Sequence, residues 1–420
     1  MQKQKWVSID KFLSYILLLI IGLVLGYQTA MNGGKVPFTS WQIPFLAKQS
    51  STYYGQIDKS QTVNLDLFWR VWSLLDQRYL EPDDLQTDEM VDGAIGGMVS
   101  ALGDPYTVYL PAETKKISEE DLAGSFAGIG VELGYKDKSL AVMAPLADGP
   151  AEKLGVEAGD IIMHVKDEKA EVDEDSYDWT LEKAQSVLRG KKGDKVTVTF
   201  FREDYNDGLP FEVEIVRDEI VIKSVELEFV ERNGKRYALI TLSRFGERTP
   251  DEWNAIVTQV VAQKQDVAGV ILDLRNNPGG FFSEAIHVAS EFIPKGEVVV
   301  TQKGKYSSQA YTSIGNGRLI GWPLIVLTNQ GSASSSEIVA GALRDQLGTK
   351  LVGEKTFGKG LVQERVDLNN GAGLNVTIAK WVMPDGDWIQ EEGIEVDVEA
   401  EDDAETTEVD EVVETAIQNF

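Results

Sequence analysis

The sequence predicts a mixed α/β protein in which an α/β core is preceded by a helical segment and interrupted by a separate β-rich domain. Three stretches carry that expectation: apolar residues at helical spacing over 65–102, short β-rich runs over 124–217, and alternating strand and helix patterns after Ile220. With 420 residues, 43% hydrophobic and 9% aromatic, the chain can fill two or three domain cores.

The first element is an apolar run over 12–27, preceded by Lys3, Lys5 and Lys11, the layout of a secretory signal or an N-terminal signal anchor. It is short for a spanning helix of about 20 residues but extends to Met31. Gln28 stands where a small residue should precede Ala30, which makes a poor cleavage site and favours an uncleaved membrane anchor over 1–33. Because the lysines lie on the first side, everything after Gly33 is placed outside the cytoplasm. Residues 34–60 show no period and read as a linker.

In the helical segment, 61–114, Leu67, Val71, Leu74 and Leu75 form one helical repeat and Met90, Ala94, Met98 and Leu102 a second, ended by Asp104-Pro105. The β-rich domain, 115–217, has strand-like runs at 130–133, 140–143, 160–165, 195–201 and 211–216. Its last two join as a hairpin across Asn206-Asp207-Gly208, and 180–189 reads as an amphipathic helix. In the core, 218–400, strands are expected at 237–242, 268–274, 324–327 and 361–367, with helices at 251–264, 281–293 and 337–347. No Lys or Arg follows Glu391, so 401–420 reads as a solvated, mobile acidic tail.

A net charge of −28 argues against a nucleic-acid partner, since phosphate binding needs a cationic surface. The absence of cysteine removes disulfides, thiol nucleophiles and cysteine-based zinc sites together. Only His164 and His287 remain, without metal-ligand spacing, so neither metal nor cofactor is expected.

Chemistry in α/β sheets collects where strands end, and two strand-turn-helix units stand out. In the first, Gly279-Gly280 would let backbone amides point into a site with no Cβ in the way. In the second, Ser334 opens a helix, where the dipole favours developing negative charge. Ser334-x-x-Glu337 is equally a capping box, so the serine has a purely structural reading as well.

A nucleophilic serine needs a base. His164 belongs to the β-rich domain and His287 to an ordinarily packed helix, which leaves a lysine made neutral by burial, its pKa brought down from about 10.4. Lys359, between Gly358 and Gly360, is the candidate; Lys355, after Glu354, is its rival in the same loop. That loop, Gly353-Glu-Lys-Thr-Phe-Gly-Lys-Gly360, nearly matches a phosphate-binding P-loop, but Gly360 stands where Ser or Thr is needed and a strand pattern follows. Gln363 would lie about 13 Å from Lys359 along a straight strand, so contact requires a bend at a flanking glycine.

Three segments, Leu272-Asp-Leu-Arg-Asn-Asn-Pro-Gly-Gly280, Gly331-Ser-Ala-Ser-Ser-Ser-Glu-Ile338 and Gly353-Glu-Lys-Thr-Phe-Gly-Lys-Gly-Leu-Val-Gln363, resemble those of the C-terminal processing peptidases, or tail-specific proteases. The resemblance covers about 65–397 in the family's domain order. It implies a serine endopeptidase acting on extracytoplasmic proteins with accessible C-terminal tails, in a bacterial cell membrane or, if the signal is cleaved, secreted or periplasmic. It implies Ser334 as nucleophile, Lys359 as base, Gln363 as orienting amide, and oxyanion amides at Gly280 and Ser335; Glu337 and Asp345 fall on positions the family holds acidic. Ser335 departs from the usual alanine after the nucleophile, and Val396 from a frequent proline.

The β-rich domain resembles the family's PDZ module through Phe126-Ala-Gly-Ile-Gly-Val131 and Gly149-Pro-Ala-Glu-Lys-Leu-Gly-Val-Glu-Ala-Gly-Asp-Ile-Ile162. That implies a groove in which Gly128, Ile129, Gly130 and Val131 hold a terminal carboxylate opposite the 180–189 helix, with Arg189 either coupling the module to the active site or simply solvated. A silent PDZ scaffold that only binds peptides is the alternative, and homo-oligomerisation is left open.

Overall fold

In a computed structural model that describes residues 64–81, 85–402 and 409–420, the core is a six-stranded sheet. Its strand order is Val225–Arg232, Lys235–Leu242, Val267–Asp273, Leu324–Thr328, Lys350–Gly353 and Val398–Glu399. The first pair is antiparallel and the others are parallel. Successive strand side chains point to opposite faces. Val270, Leu272 and Val326 therefore bury themselves against the helices Thr249–Ala262, Phe282–Ser290 and Ser335–Leu347, while Ile271, Ile325 and Leu327 form a second apolar layer.

That second layer is closed by the helix Glu411–Gln418, which buries Val412, Val413, Ala416 and Ile417. The mobile tail expected over 401–420 is thus corrected for residues 409–420. Composition concealed a stripe: four apolar residues recur on one side of an otherwise acidic helix. Asp410 caps it by accepting the Val413 N–H at 2.8 Å, and Phe420 packs its ring on Tyr237 with centroids 4.9 Å apart.

A second sheet is built on the long strand Gly373–Val382, which pairs with Val108–Leu110, Val298–Gly304 and Leu361–Asp367. It shares the first core layer through Val299, Val300 and Trp381. The β-rich domain has its own core, including Leu140, Val142, Ala184, Leu188 and Phe200, and the helix Leu181–Leu188 expected over 180–189. The chain enters and leaves it through the antiparallel pair Ser125–Gly128 and Asp218–Val221, which makes the domain an insertion with a two-stranded neck.

The expected boundary at 115 falls inside the helix Ala112–Ala123, so the inserted domain begins after Gly124, which ends that helix in a left-handed conformation at φ 67°. None of that helix's residues is fully buried, which explains why no apolar period announced it. The helices Asp66–Arg78 and Thr87–Ser100 form as expected. The anchor at 1–33 and the linker at 34–60 lie outside the described residues; among those described, no helix is long and apolar enough to cross a membrane.

Ile417 is 6% exposed in the second layer. Ile417→Ala is expected to cost about 2–4 kcal/mol of stability, read from urea denaturation midpoints.

Candidate active site

Three neighbouring parallel strands, Val267–Asp273, Leu324–Thr328 and Lys350–Gly353, end side by side, with Asp273 opposite Leu327 and Thr328 opposite Gly353. The loops leaving their carboxyl ends therefore meet at one edge of the sheet.

The first loop is held by Asn277, fully buried, whose amide nitrogen donates to Leu242 O at 2.6 Å and whose Oδ1 accepts the Gly279 N–H at 2.9 Å. A Cβ on Gly279 (φ 98°) would sit 2.8 Å from Ser334 Cβ, and one on Gly280 (φ 144°) 2.1 Å from Phe245 O. Both positions need glycine for space and for backbone conformation.

The second loop is stitched to the first. Ala333 N–H and Ser336 Oγ both donate to Asn277 O, at 3.0 and 2.9 Å, and Ser335 Oγ donates to Gly280 O at 3.2 Å. The hydroxyls of Ser335 and Ser336 are thus engaged in holding the loops together. Ser334 occupies φ 56°, ψ −112°. The capping box is real, with the Ser334 N–H donating to Glu337 Oε2 at 2.8 Å, yet an ordinary N-cap residue has extended backbone. A non-glycine residue in this region costs about 1–3 kcal/mol, and such strain concentrates at functional sites. Neither the Gly280 N–H nor the Ser335 N–H has a hydrogen-bond partner among the described residues.

The third loop is organised by Glu337. Its Oε1 accepts from Thr356 Oγ1 at 2.6 Å and the Gly358 N–H at 2.7 Å; its Oε2 accepts the Lys359 N–H at 2.9 Å besides that of Ser334. Burial pushes the Glu337 carboxyl up, opposed by these four donors. The same bonds dispose of the P-loop reading, because the amides a phosphate would take are occupied by the chain's own carboxylate.

Ser334, Lys359, Gln363, Gly280 and Ser335 line one cavity of about 340 Å³, with Leu122, Phe282, Ile338 and Trp381 supplying apolar walls. Lys359 Nζ makes no hydrogen bond or ion pair among the described residues and lies 5.1 Å from the centre of the Tyr106 ring. Burial pushes its pKa below the ordinary lysine value, partly opposed by the Glu337 charge. The Gln363 amide does not reach it; a bulge at Val362/Gln363 turns the side chain to Thr377 Oγ1, 3.3 Å away. Lys355 is exposed and paired with Glu395 at 2.6 Å. His164 is bound on both ring nitrogens by Asp173 and Asp175 in the inserted domain, and His287 does not line the cavity.

Asp345 also stands outside the cavity, at the far end of the Ser335–Leu347 helix, where it accepts the Asp385 N–H at 3.3 Å. Gly128, Ile129, Gly130, Val131 and Arg189 line a separate groove of about 450 Å³. Arg189 is not solvated. It is 12% exposed, pairs with Glu120 and Asp121 at 3.1 Å each, and stacks 4.2 Å over Phe126. Sequence reasoning missed Asn277, Tyr106, Thr377 and Leu122; an asparagine immediately before Pro-Gly-Gly was a usable signal for the first, whereas the others come from distant segments.

The peptidase family S41 model matches residues 236–400, a PDZ domain model matches 127–215, and a model described as the activating protease CtpB N-terminal domain matches 34–114. The chain is 30% identical over 343 residues to the carboxy-terminal processing protease CtpB of Bacillus subtilis, covering 81% of this chain and 68% of that one. It is 36% identical over 346 residues to a probable CtpA-like serine protease of Staphylococcus epidermidis, covering 81% of this chain; it spans 66% of that relative's length. Among solved structures, the photosystem II D1 C-terminal processing protease is similar at 28% identity and a TM-score of 0.48, with 81% of this chain and 94% of that one covered.

A desolvated, unpaired ammonium penalises the folded state at every pH below its depressed pKa, and the penalty fades as pH rises from there to the ordinary value. Lys359→Met is therefore expected to raise the urea midpoint at pH of about 6, with the gain shrinking toward pH of about 10.

Proposed function

The chain belongs to the S41 peptidase family of carboxy-terminal processing proteases, and on that premise we propose that it is a serine endopeptidase using Ser334 and Lys359. The observation that carries this reading is a strained serine, beside two free backbone amides, sharing a cavity with a buried and unpaired lysine. In this reading Ser334 Oγ attacks the peptide carbonyl carbon as its proton passes to the neutral Lys359 amine. The Gly280 and Ser335 amides hold the oxyanion. Lys359 then protonates the leaving amine, and the acyl group on Ser334 is released to water activated by the same base. The amine has to leave the Tyr106 ring to do so, as catalytic contacts often tighten only with substrate bound.

The groove on the inserted domain suits an extended peptide added as a strand, its terminal carboxylate on the glycine-rich turn at 128–131. Arg189 offers a route from groove to cavity, since it pairs with Glu120 and Asp121 beside Leu122, which lines the catalytic cavity. Glu337 acts in this scheme as the clamp of the base loop; Asp345 has no place in it beyond its turn.

Ser334→Ala and Lys359→Ala are expected to abolish casein cleavage by the purified protein, while Lys355→Ala keeps most of it. The wild-type rate should rise with pH through an ionisation below about 10.4. Full turnover in Ser334→Ala would remove Ser334 as the nucleophile, whereas no cleavage by the wild-type protein would leave the peptide-binding scaffold as the surviving function. Peptides ending in a free apolar residue should bind the full chain, and amidating that end should weaken binding about tenfold or more, measured by fluorescence anisotropy.

A further inference from the structure

The turn at 104–107, between the helix Thr87–Ser100 and the strand Val108–Leu110, touches Lys359 and reaches Gln363 through Thr377, both far from it in sequence. The half-buried Tyr106 ring faces Lys359 Nζ at 5.1 Å, and that nitrogen makes no hydrogen bond or ion pair among the described residues. Aromatic faces attract cations most strongly where water is excluded. The Tyr106 hydroxyl has no hydrogen bond among the described residues, so the contact belongs to the ring.

Thr107, buried next to it, donates its hydroxyl to Asp104 Oδ2 at 2.6 Å and accepts the Thr377 N–H at 3.1 Å. Thr377 Oγ1 in turn accepts the Gln363 amide at 3.3 Å. The mount is rigid: Val108 pairs with Asn375 on the strand that carries Thr377, and Tyr109 Oη donates to Asp92 Oδ1 at 2.6 Å on the preceding helix. One short turn therefore seats the lysine directly and the glutamine through a single threonine.

We propose that Tyr106 and Thr377 are positioning residues for the reaction, the ring seating the Lys359 ammonium in the resting site and the threonine hydroxyl holding the Gln363 amide. This rests on the Ser334/Lys359 reading. Glu337 on the Ser335–Leu347 helix is the charged group that acts on Lys359, Arg365 on the Leu361–Asp367 strand lines the same cavity, and Asp104 lies in the turn that carries Tyr106; none is altered in the variants below.

The test is the pH profile of kcat/KM on an unfolded protein substrate, using the full chain. A ring face favours the ammonium over the amine, so Tyr106→Leu should move the acid limb down by about half a pH unit with little change in KM. Tyr106→Phe keeps the ring and should leave the limb where it is. A limb unmoved in Tyr106→Leu, or moved equally in Tyr106→Phe, overturns the role of the ring. If Tyr106→Leu does not fold, Thr377 decides: Thr377→Val should lower kcat at constant KM and Thr377→Ser should restore it, and a Thr377→Val enzyme with wild-type kcat overturns the proposal. Loss of the underlying reading looks different, because Ser334→Ala or Lys359→Ala would then cleave as well as wild type.

Discussion

The Glu337 carboxylate is the constraint on which the rest of the site depends. It sits in the first turn of a buried helix, yet it accepts from two chain segments at once: the Ser334 N–H on its own helix, and Thr356, Gly358 and Lys359 on the loop after the neighbouring strand. A buried carboxylate without donors would be costly, so burial and hydrogen bonding demand one another here. The outcome is that the backbones of the serine and the lysine, 25 positions apart in the chain, are fixed relative to each other by one side chain. The capping box that offered a structural reading of Ser334 is therefore one arm of this clamp, and the structural and functional readings are compatible.

Around that clamp the loops differ in how firmly they are held. The turns carrying Gly280 and Ser334 share several hydrogen bonds and leave no room for a Cβ at Gly279. Lys359 and Gln363 are held less firmly, the amine by a ring face and the amide by one hydrogen bond of 3.3 Å. The side carrying the Gly280 and Ser335 amides is firmly held, while the Lys359 side has somewhere to go. The helix Ala112–Ala123 lies where such movement could be sensed, with Leu122 in the cavity wall, Ser118 taking a hydrogen bond from Arg365 at 2.8 Å, and Glu120 and Asp121 gripping Arg189.

Much of this was legible in the sequence because glycine and periodicity carry direct physical meaning. The Gly279-Gly280 pair and the alternation of strand and helix patterns pointed to loops that the structure brings to one cavity, and the flanking glycines of Lys359 distinguished it from Lys355, which is exposed and paired with Glu395. Four features were not legible. Contact of Gln363 with Lys359 hung on a bend at a flanking glycine, but a bulge at Val362/Gln363 sends the amide to Thr377, and bulges leave no pattern of their own. Tyr106 and Thr377 enter through a second sheet whose long strand, Gly373–Val382, lacks clean alternation. The helix Ala112–Ala123 is polar nearly throughout, and the acidic composition after residue 400 outweighed the four apolar positions that seat the last helix.

That last helix bears on how the chain reaches its fold. The central sheet begins at Val225, but the layer made by Tyr237, Ile271, Ile325 and Val352 packs, among the described residues, against the last helix through Val412, Val413, Ala416 and Ile417. Arg232 meets Glu414 across 182 positions, and Arg275, beside the loop at 277–280, binds Asp410 at 2.7 Å. During synthesis on the ribosome the inserted domain can close around its own core as soon as residue 221 has emerged, whereas one face of the catalytic sheet stays bare until the chain has run nearly two hundred residues further. The peptide groove thus forms well before the catalytic sheet is complete, and throughout that interval the nascent chain carries a finished recognition module on an unfinished core.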